Sequence, residues 1–118
     1  MTTLIILNHQ PYDGSDITYN ALRLAKALHG EDKNVQIFLM NDAVDLARES
    51  TLKPEFYDYD LVAILKELYQ SGVALKVCGS CQARCGINKN QPYFDATIKS
   101  TMDALAAWTI AADKVLTF

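Results

Sequence analysis

Short, uninterrupted apolar runs alternate along this chain with stretches whose apolar residues recur at helical spacing, and this alternation restricts the fold more than any other feature. Thr3-Leu4-Ile5-Ile6-Leu7, Val35-Gln36-Ile37-Phe38-Leu39-Met40, Val73-Ala74-Leu75-Lys76-Val77 and Lys114-Val115-Leu116-Thr117-Phe118 have strand length. The first is continuously apolar and bounded by a polar loop, as strands covered on both faces of a parallel sheet are. Between the runs, Ile17, Ala21, Leu24, Ala25 and Leu28 mark a helix that Ser15 or Asp16 can cap and that runs to about His29, before Gly30. Asn41-Asp42 opens a short helix from about Ala43 to Arg48, and Glu49 to Tyr59 is a polar, Pro-containing connection. Leu61, Ile64, Leu65 and Leu68 mark a third helix ended by Ser71-Gly72. Ile98, Met102, Leu105, Thr109 and Ala112 outline the last, with Trp108 beside the stripe. Strands and helices in this order predict βαβ units with right-handed crossovers. The expected fold is α/β, a three-layer α/β/α sandwich around a flavodoxin-like, mainly parallel sheet.

A chain of 118 residues, half of them hydrophobic, is long enough to build one core, so residues 1–118 are read as a single domain. No apolar run approaches the roughly 20 residues of a membrane span. The formal charge of −3 provides no footprint for nucleic acid. Met1-Thr2-Thr3-Leu4 has neither the basic region nor the apolar stretch of a secretion signal, and the cysteine count is odd, which points to a cytoplasmic protein with reduced thiols.

All three cysteines fall within eight residues, Cys78-Gly79-Ser80-Cys81-Gln82-Ala83-Arg84-Cys85, directly after the third apolar run. In parallel sheets the functional crevice lies beyond the carboxyl ends of the strands. That edge is expected to bring together the Asn8 to Ser15 loop, the Asn41-Asp42 turn and the cysteine segment. If Ser80 caps a short helix across Cys81 to Arg84, its free amides and positive end favour thiolate at Cys78 and Cys81, with Arg84 as a candidate cationic neighbour. Such surroundings lower a thiol pKa from about 8.5 into a range of roughly 3.5 to 7.5. Cys85 reads as a packing thiol. Candidate substrate-binding residues are His9, Tyr12, Ser15 and Asp42, although turn and cap roles account for the first loop and for Asp42 as well. Trp108 reads as a core or subunit-interface anchor. Phe56, Tyr57 and Tyr59 either mark an oligomer contact or fold back over the helices.

The chain also resembles the DsrE/DsrF-like family, and within it the YchN-like branch. The resemblance rests on Pro11-Tyr12 and Gly14-Ser15, Phe38-Leu39-Met40 with Asp42-Ala43-Val44, Lys76-x-Cys78-x2-Cys81, Gly86-Ile87, and the ending Trp108-Thr109-x2-Ala112-Asp113-Lys114-Val115-Leu116-Thr117-Phe118. It implies a flavodoxin-like fold, homotrimers or homohexamers, and a cysteine that carries sulfane sulfur as a persulfide. In the family's sulfur-relay branch the carrier cysteine closes a strand and an Arg-x-Gly follows, which here falls on Cys78, Arg84 and Gly86; Cys81 and Cys85 are additions to that pattern.

The expected function is persulfide carriage or sulfurtransferase-like transfer on Cys78, with Cys81 resolving and no cofactor. Its partners would be sulfur donor and acceptor proteins or small thiols, with neither nucleic acid nor a membrane engaged. Two other readings stand beside it. One is a non-catalytic oligomeric module that binds a small ligand or protein while its thiols stay passive. The other is a metal site of three thiolates, which His9 completes only if the first loop meets the cysteine segment, His29 lying at a helix end.

Overall fold

The computed structural model describes all 118 residues. Five strands, Thr2–Leu7 (β1), Asn34–Leu39 (β2), Ala74–Cys78 (β3), Lys99–Ser100 (β4) and Lys114–Thr117 (β5), form one entirely parallel sheet in the order β4-β3-β2-β1-β5. Ile5 lies between Ile37 and Leu116 in the register, and Val77 between Leu39 and Lys99. The helices are Ile17–Gly30 (α1), Leu61–Gln70 (α2) and Met102–Ala111 (α3). Successive crossovers in one direction place α1 and α2 side by side over one face, and the return crossover carries α3 to the other. This is the three-layer α/β sandwich that the alternating pattern predicts.

The apolar runs are apolar because both sheet faces are covered. Leu4, Ile5, Leu7, Ile37, Phe38, Leu39 and Val77 are all buried within one core of 26 residues, to which α1 contributes Ala21, Leu22 and Ala25 and α2 contributes Leu61, Val62, Leu65 and Leu68. Asp60 caps α2 by accepting the Ala63 amide at 3.1 Å. Asn41–Ala47 is a 3-10 helix, entered through a left-handed Asn41 and buried from Ala43 onward.

Two expectations change. The last helix does not begin near Ile98: Asp95 accepts the Thr97 amide and hydroxyl, turning Ala96–Ile98 into a single 3-10 turn, and Lys99–Ser100 then pairs with β3. A two-residue strand is too short to show a period, and Ile98 happens to fall in helical register with Met102 and Leu105. The stripe on α3 is also not a core stripe. Leu105 alone is buried, Trp108 is half-buried against Phe38 and beneath the Lys76 ammonium, and Ile110 and Met102 are 86 % and 57 % exposed. The helix is apolar nearly all round, yet only one side of it is covered.

The start of α3 has a test of opposite sign for its two placements. Thr101 caps α3 by accepting the Ala104 amide at 3.2 Å. Thr101→Ala is therefore expected to destabilise the protein by about 1 kcal/mol in urea titration. Had the helix begun at Ile98, Thr101 would be interior and the same substitution would stabilise by a few tenths of a kcal/mol.

Candidate functional site

Strand β3 ends at Cys78, and the residues beyond it are held by backbone contacts close to the sheet. The Gly79 amide donates to the Ser100 carbonyl at 2.9 Å. A Cβ on Gly79 would stand 2.9 Å from that oxygen, so only glycine passes there. The Tyr93 hydroxyl, itself buried, donates to the Cys78 carbonyl at 2.7 Å and fixes the strand end from the other side. The predicted helix across Cys81 to Arg84 does not form. Turns replace it, with the Gln82 amide on the Gly79 carbonyl and the Arg84 and Cys85 amides both on the Cys81 carbonyl. The reason lies in the next residues, whose backbone groups are drawn inward.

Asp45 and Arg48, both fully buried, draw them in. Arg48 Nε donates to Asp45 Oδ1 at 2.7 Å. The two terminal nitrogens of Arg48 donate to the Gln91 carbonyl at 2.5 Å and the Cys85 carbonyl at 2.9 Å, and the guanidinium lies over the Tyr93 ring. Asp45 Oδ2 accepts the Ile87 and Asn88 amides and the Gln10 side chain, at 2.7, 3.3 and 2.8 Å. Gly86, at φ +83°, makes the turn that aims those amides; a Cβ there would stand 2.3 Å from Asp45 Oδ1. The segment from Cys85 to Tyr93 thus takes its shape from an ion pair at the C-terminal end of the 3-10 helix that follows β2. Sequence reading missed this pair. Its signal was present, since two charges three residues apart interrupt the otherwise apolar Ala43-Val44-Asp45-Leu46-Ala47-Arg48.

The three thiols are free and stand in different surroundings. Cys78 and Cys81 are 6 % and 7 % exposed, and Cys85 is half-buried. Burial pushes the Cys78 pKa up, but the Ser80 hydroxyl at 3.2 Å, the Cys81 thiol and the Cys81 and Ser80 amides all favour the thiolate, and the net shift is downward. For Cys81, burial and its place between the Cys78 and Cys85 thiols push the pKa up to about 12, against a lowering contact from the Asn41 backbone. Cys78 is therefore the more acidic of the pair, and Cys81 keeps its proton at neutral pH and donates it toward Cys78.

The other expected residues divide in two. The three loops do meet: Asn41 Nδ2 donates to Asn8 Oδ1, Gln10 reaches Asp45, and Asp42 Oδ1 accepts the Gly86 amide at 3.1 Å, which puts Asp42 on the cysteine segment. Arg84 is exposed, with Nε on the Ser80 carbonyl at 3.2 Å. The donors that lower Cys78 are hydroxyl, thiol and amide groups, so the guanidinium is not the cation expected there. His9 is exposed and near Asp13. Ser15 donates to Asp13 within its own turn, and the Tyr12 hydroxyl accepts the Leu61 amide while its ring packs edge-on against Tyr57. Tyr12 thus joins the first loop to Tyr57 and the start of α2, and Ser15 serves its own turn. Tyr57 and Tyr59 fold back, Tyr59 stacking on Tyr19 with centroids 4.2 Å apart, while Phe56 is 81 % exposed. No group of three or more His, Cys, Asp or Glu side chains is placed to hold a metal ion. A cavity of about 540 Å³ lies between α1 and α2, lined by Tyr19, Arg23, Lys26, His29, Tyr59 and Glu67 among others, and it includes no cysteine. No helix is long and apolar enough to cross a membrane.

An entirely parallel five-stranded sheet covered by helices, with a cysteine closing an inner strand, places the chain among three-layer α/β proteins. The chain belongs to the DsrE/DsrF-like family, whose model matches residues 1–118. It is 38 % identical over 117 residues to Protein YchN of Escherichia coli K12, covering 98 % of this chain and 97 % of YchN. It is 31 % identical over 118 residues to a protein of Methanocaldococcus jannaschii, with all of both chains covered. The crystal structure of the E. coli YchN protein superimposes over the whole of both chains with a TM-score of 0.81 at 35 % identity.

Arg48→Leu strands a buried carboxylate and releases the Cys85 and Gln91 carbonyls, so unfolding in urea should show a loss of about 3–5 kcal/mol. Cys85 should also alkylate faster than in the native protein. Thiolate is the reacting form, so with iodoacetamide, followed cysteine by cysteine by peptide mass, the rate at Cys78 should rise at lower pH than that of an ordinary thiol. Cys81 should stay slow until the pH nears 12. Removing the hydroxyl donor in Ser80→Ala weakens the thiolate and shifts the Cys78 profile to higher pH; an unmoved profile would refute the role given to that donor.

Proposed function

We propose that this protein carries sulfane sulfur as a persulfide on Cys78 and that Cys81 resolves it. The observation that carries the reading is the pairing of two neighbouring thiols of opposite acidity, Cys78 lowered and Cys81 raised to about 12. A carrier needs one reactive thiolate, and Cys81 attacks in turn as thiolate, its ionisation eased once the Cys78 charge that helps to hold its proton is lost to the persulfide. The Cys78 thiolate attacks the terminal sulfur of a hydropersulfide donor, R–S–SH; the new bond joins Cys78 to that sulfur and the donor departs as R–S⁻. Cys81 then attacks the inner sulfur, a Cys78–Cys81 disulfide forms, and hydrogen sulfide leaves with the Cys81 proton. Two electrons pass from the thiol pair to the sulfane sulfur. Where an acceptor thiolate takes the outer sulfur first, the protein acts as a transferase. Family membership supports the reading, because the family is associated in general with sulfur relay.

The donor and acceptor are proteins or small thiols in the cytoplasm, and exposed Arg84 meets an anionic donor at the outer edge of the loop. The uncovered apolar sides of α3, with Ile110 and Met102, are the surface for a homotrimer or homohexamer. A second reading, a non-catalytic ligand module with passive thiols, is favoured only by the cavity between α1 and α2, which lies away from the cysteines.

Intact mass after treatment with glutathione persulfide separates the readings. Native protein should gain sulfur and release sulfide, Cys78→Ser should do neither, and Cys81→Ser should hold the added sulfur longer. No added sulfur on any version, with uniformly slow alkylation, would leave the passive module.

A further inference from the structure

Resting on that reading, we infer that Cys85 is a third redox thiol: it takes over the disulfide from Cys78, so that Cys81 and Cys85 end up paired and Cys78 is free to accept sulfur again. Three observations converge on this step. Cys81 is flanked by both other thiols and is a hydrogen-bonding neighbour of each, whereas Cys78 has only Cys81 and Ser80 as side-chain partners. The Cys85 amide donates to the Cys81 carbonyl at 2.9 Å, closing one helical turn between them. Four residues on such a turn set the Cα atoms about 6 Å apart, within the span of roughly 4.4 to 6.8 Å that a disulfide accepts. Finally, Cys85 is the most exposed of the three, and its position is enforced: Arg48 holds its carbonyl at 2.9 Å and the following Gly86 lies against Asp45. A merely space-filling thiol would need neither the register with Cys81 nor access to solvent.

The exchange balances without any added oxidant. Cys85, as thiolate, attacks the Cys81 sulfur of the Cys78–Cys81 disulfide; the Cys81–Cys85 bond forms, the Cys78–Cys81 bond breaks, and Cys78 leaves as thiolate while the Cys85 proton goes to solvent. Exchange favours expulsion of the sulfur best stabilised as an anion. Ser80 and the Ser80 and Cys81 amides stabilise Cys78 in that way, so the disulfide moves outward. It comes to rest on the half-exposed thiol, where a small dithiol can reduce it, while the buried Cys78 is released still carrying its charge.

Trypsin shows whether Cys85 has entered the disulfide, because Lys76, Arg84 and Lys89 divide the segment into Val77–Arg84, with Cys78 and Cys81, and Cys85–Lys89, and fragmentation of the linked peptides should place the bond on Cys81, a bond to Cys78 overturning the exchange. The reduced protein is treated with excess glutathione persulfide, residual thiols are blocked, and peptides are analysed without reduction. Wild type should yield the two peptides cross-linked. It should consume about two sulfane sulfurs per chain, one released as sulfide and one retained on Cys78, because the regenerated thiolate has no resolving partner left. Cys85→Ser should consume about one, retain none, and yield Val77–Arg84 closed on itself. A wild-type product that is only the internally closed peptide, with Cys85 blocked and one sulfur consumed, overturns the exchange and leaves persulfide carriage standing. If wild type takes up no sulfur, the carrier reading fails, and oxidation with diamide then decides the exchange alone: cross-linked peptides support it and internally closed peptide overturns it.

Discussion

The Asp45–Arg48 ion pair is the constraint around which the functional end of this molecule is arranged. Two charges removed from water are costly, and a buried pair seldom adds much net stability over apolar residues of the same volume. Their contribution here is positional. Between them they engage the backbone of Cys85, Ile87, Asn88 and Gln91, the side chain of Gln10 and the face of Tyr93. A loop with no regular ladder of its own must place its amides and carbonyls somewhere. One carboxylate and one guanidinium take up most of those that face inward, which gives an otherwise irregular segment one conformation.

The thiols beside this segment differ electrostatically. Cys78 stands at the end of an inner strand where the chain turns, so two successive amides and a hydroxyl are directed at its sulfur. Cys81 sits one turn further on, between two sulfurs and short of donors, and keeps its proton. The difference between them comes from hydrogen-bond geometry and burial rather than from a formal cation, since Arg84 faces solvent. Proximity in sequence to an arginine is a poor guide when four backbone and side-chain donors lie nearer.

Much of the architecture was legible because burial on both faces of a parallel sheet leaves a plain mark. Ile5 and Phe38 must be apolar whichever strand lies beside them, and the sheet, the helices α1 and α2 and the position of Cys78 at a strand end follow from that. The signal failed where elements are too short or too exposed to be periodic. Lys99–Ser100 pairs by backbone alone, and α3 has an apolar sequence with only Leu105 in the core, so its stripe resembled a core face without being one. Within the site, the meeting of the first loop, the Asn41-Asp42 turn and the cysteine segment was foreseeable from strand polarity. The division of labour was not: Tyr12 turns toward Tyr57 and the start of α2, Ser15 closes its own turn on Asp13, and Gln10 is the residue of that loop that reaches the cysteine segment through Asp45.

The sequence by itself determined the strand and helix alternation, the parallel sheet that results from it, and the delivery of a cysteine cluster to the carboxyl edge, because each depends on local periodicity or on chain direction. Only the tertiary structure decided that Asp45 and Arg48 meet the segment some forty residues further along, and which thiol is the more acidic. Hydrogen bonds and desolvation act over a few ångströms in space, between groups that the sequence keeps apart, and no local pattern encodes which of them will converge on one sulfur.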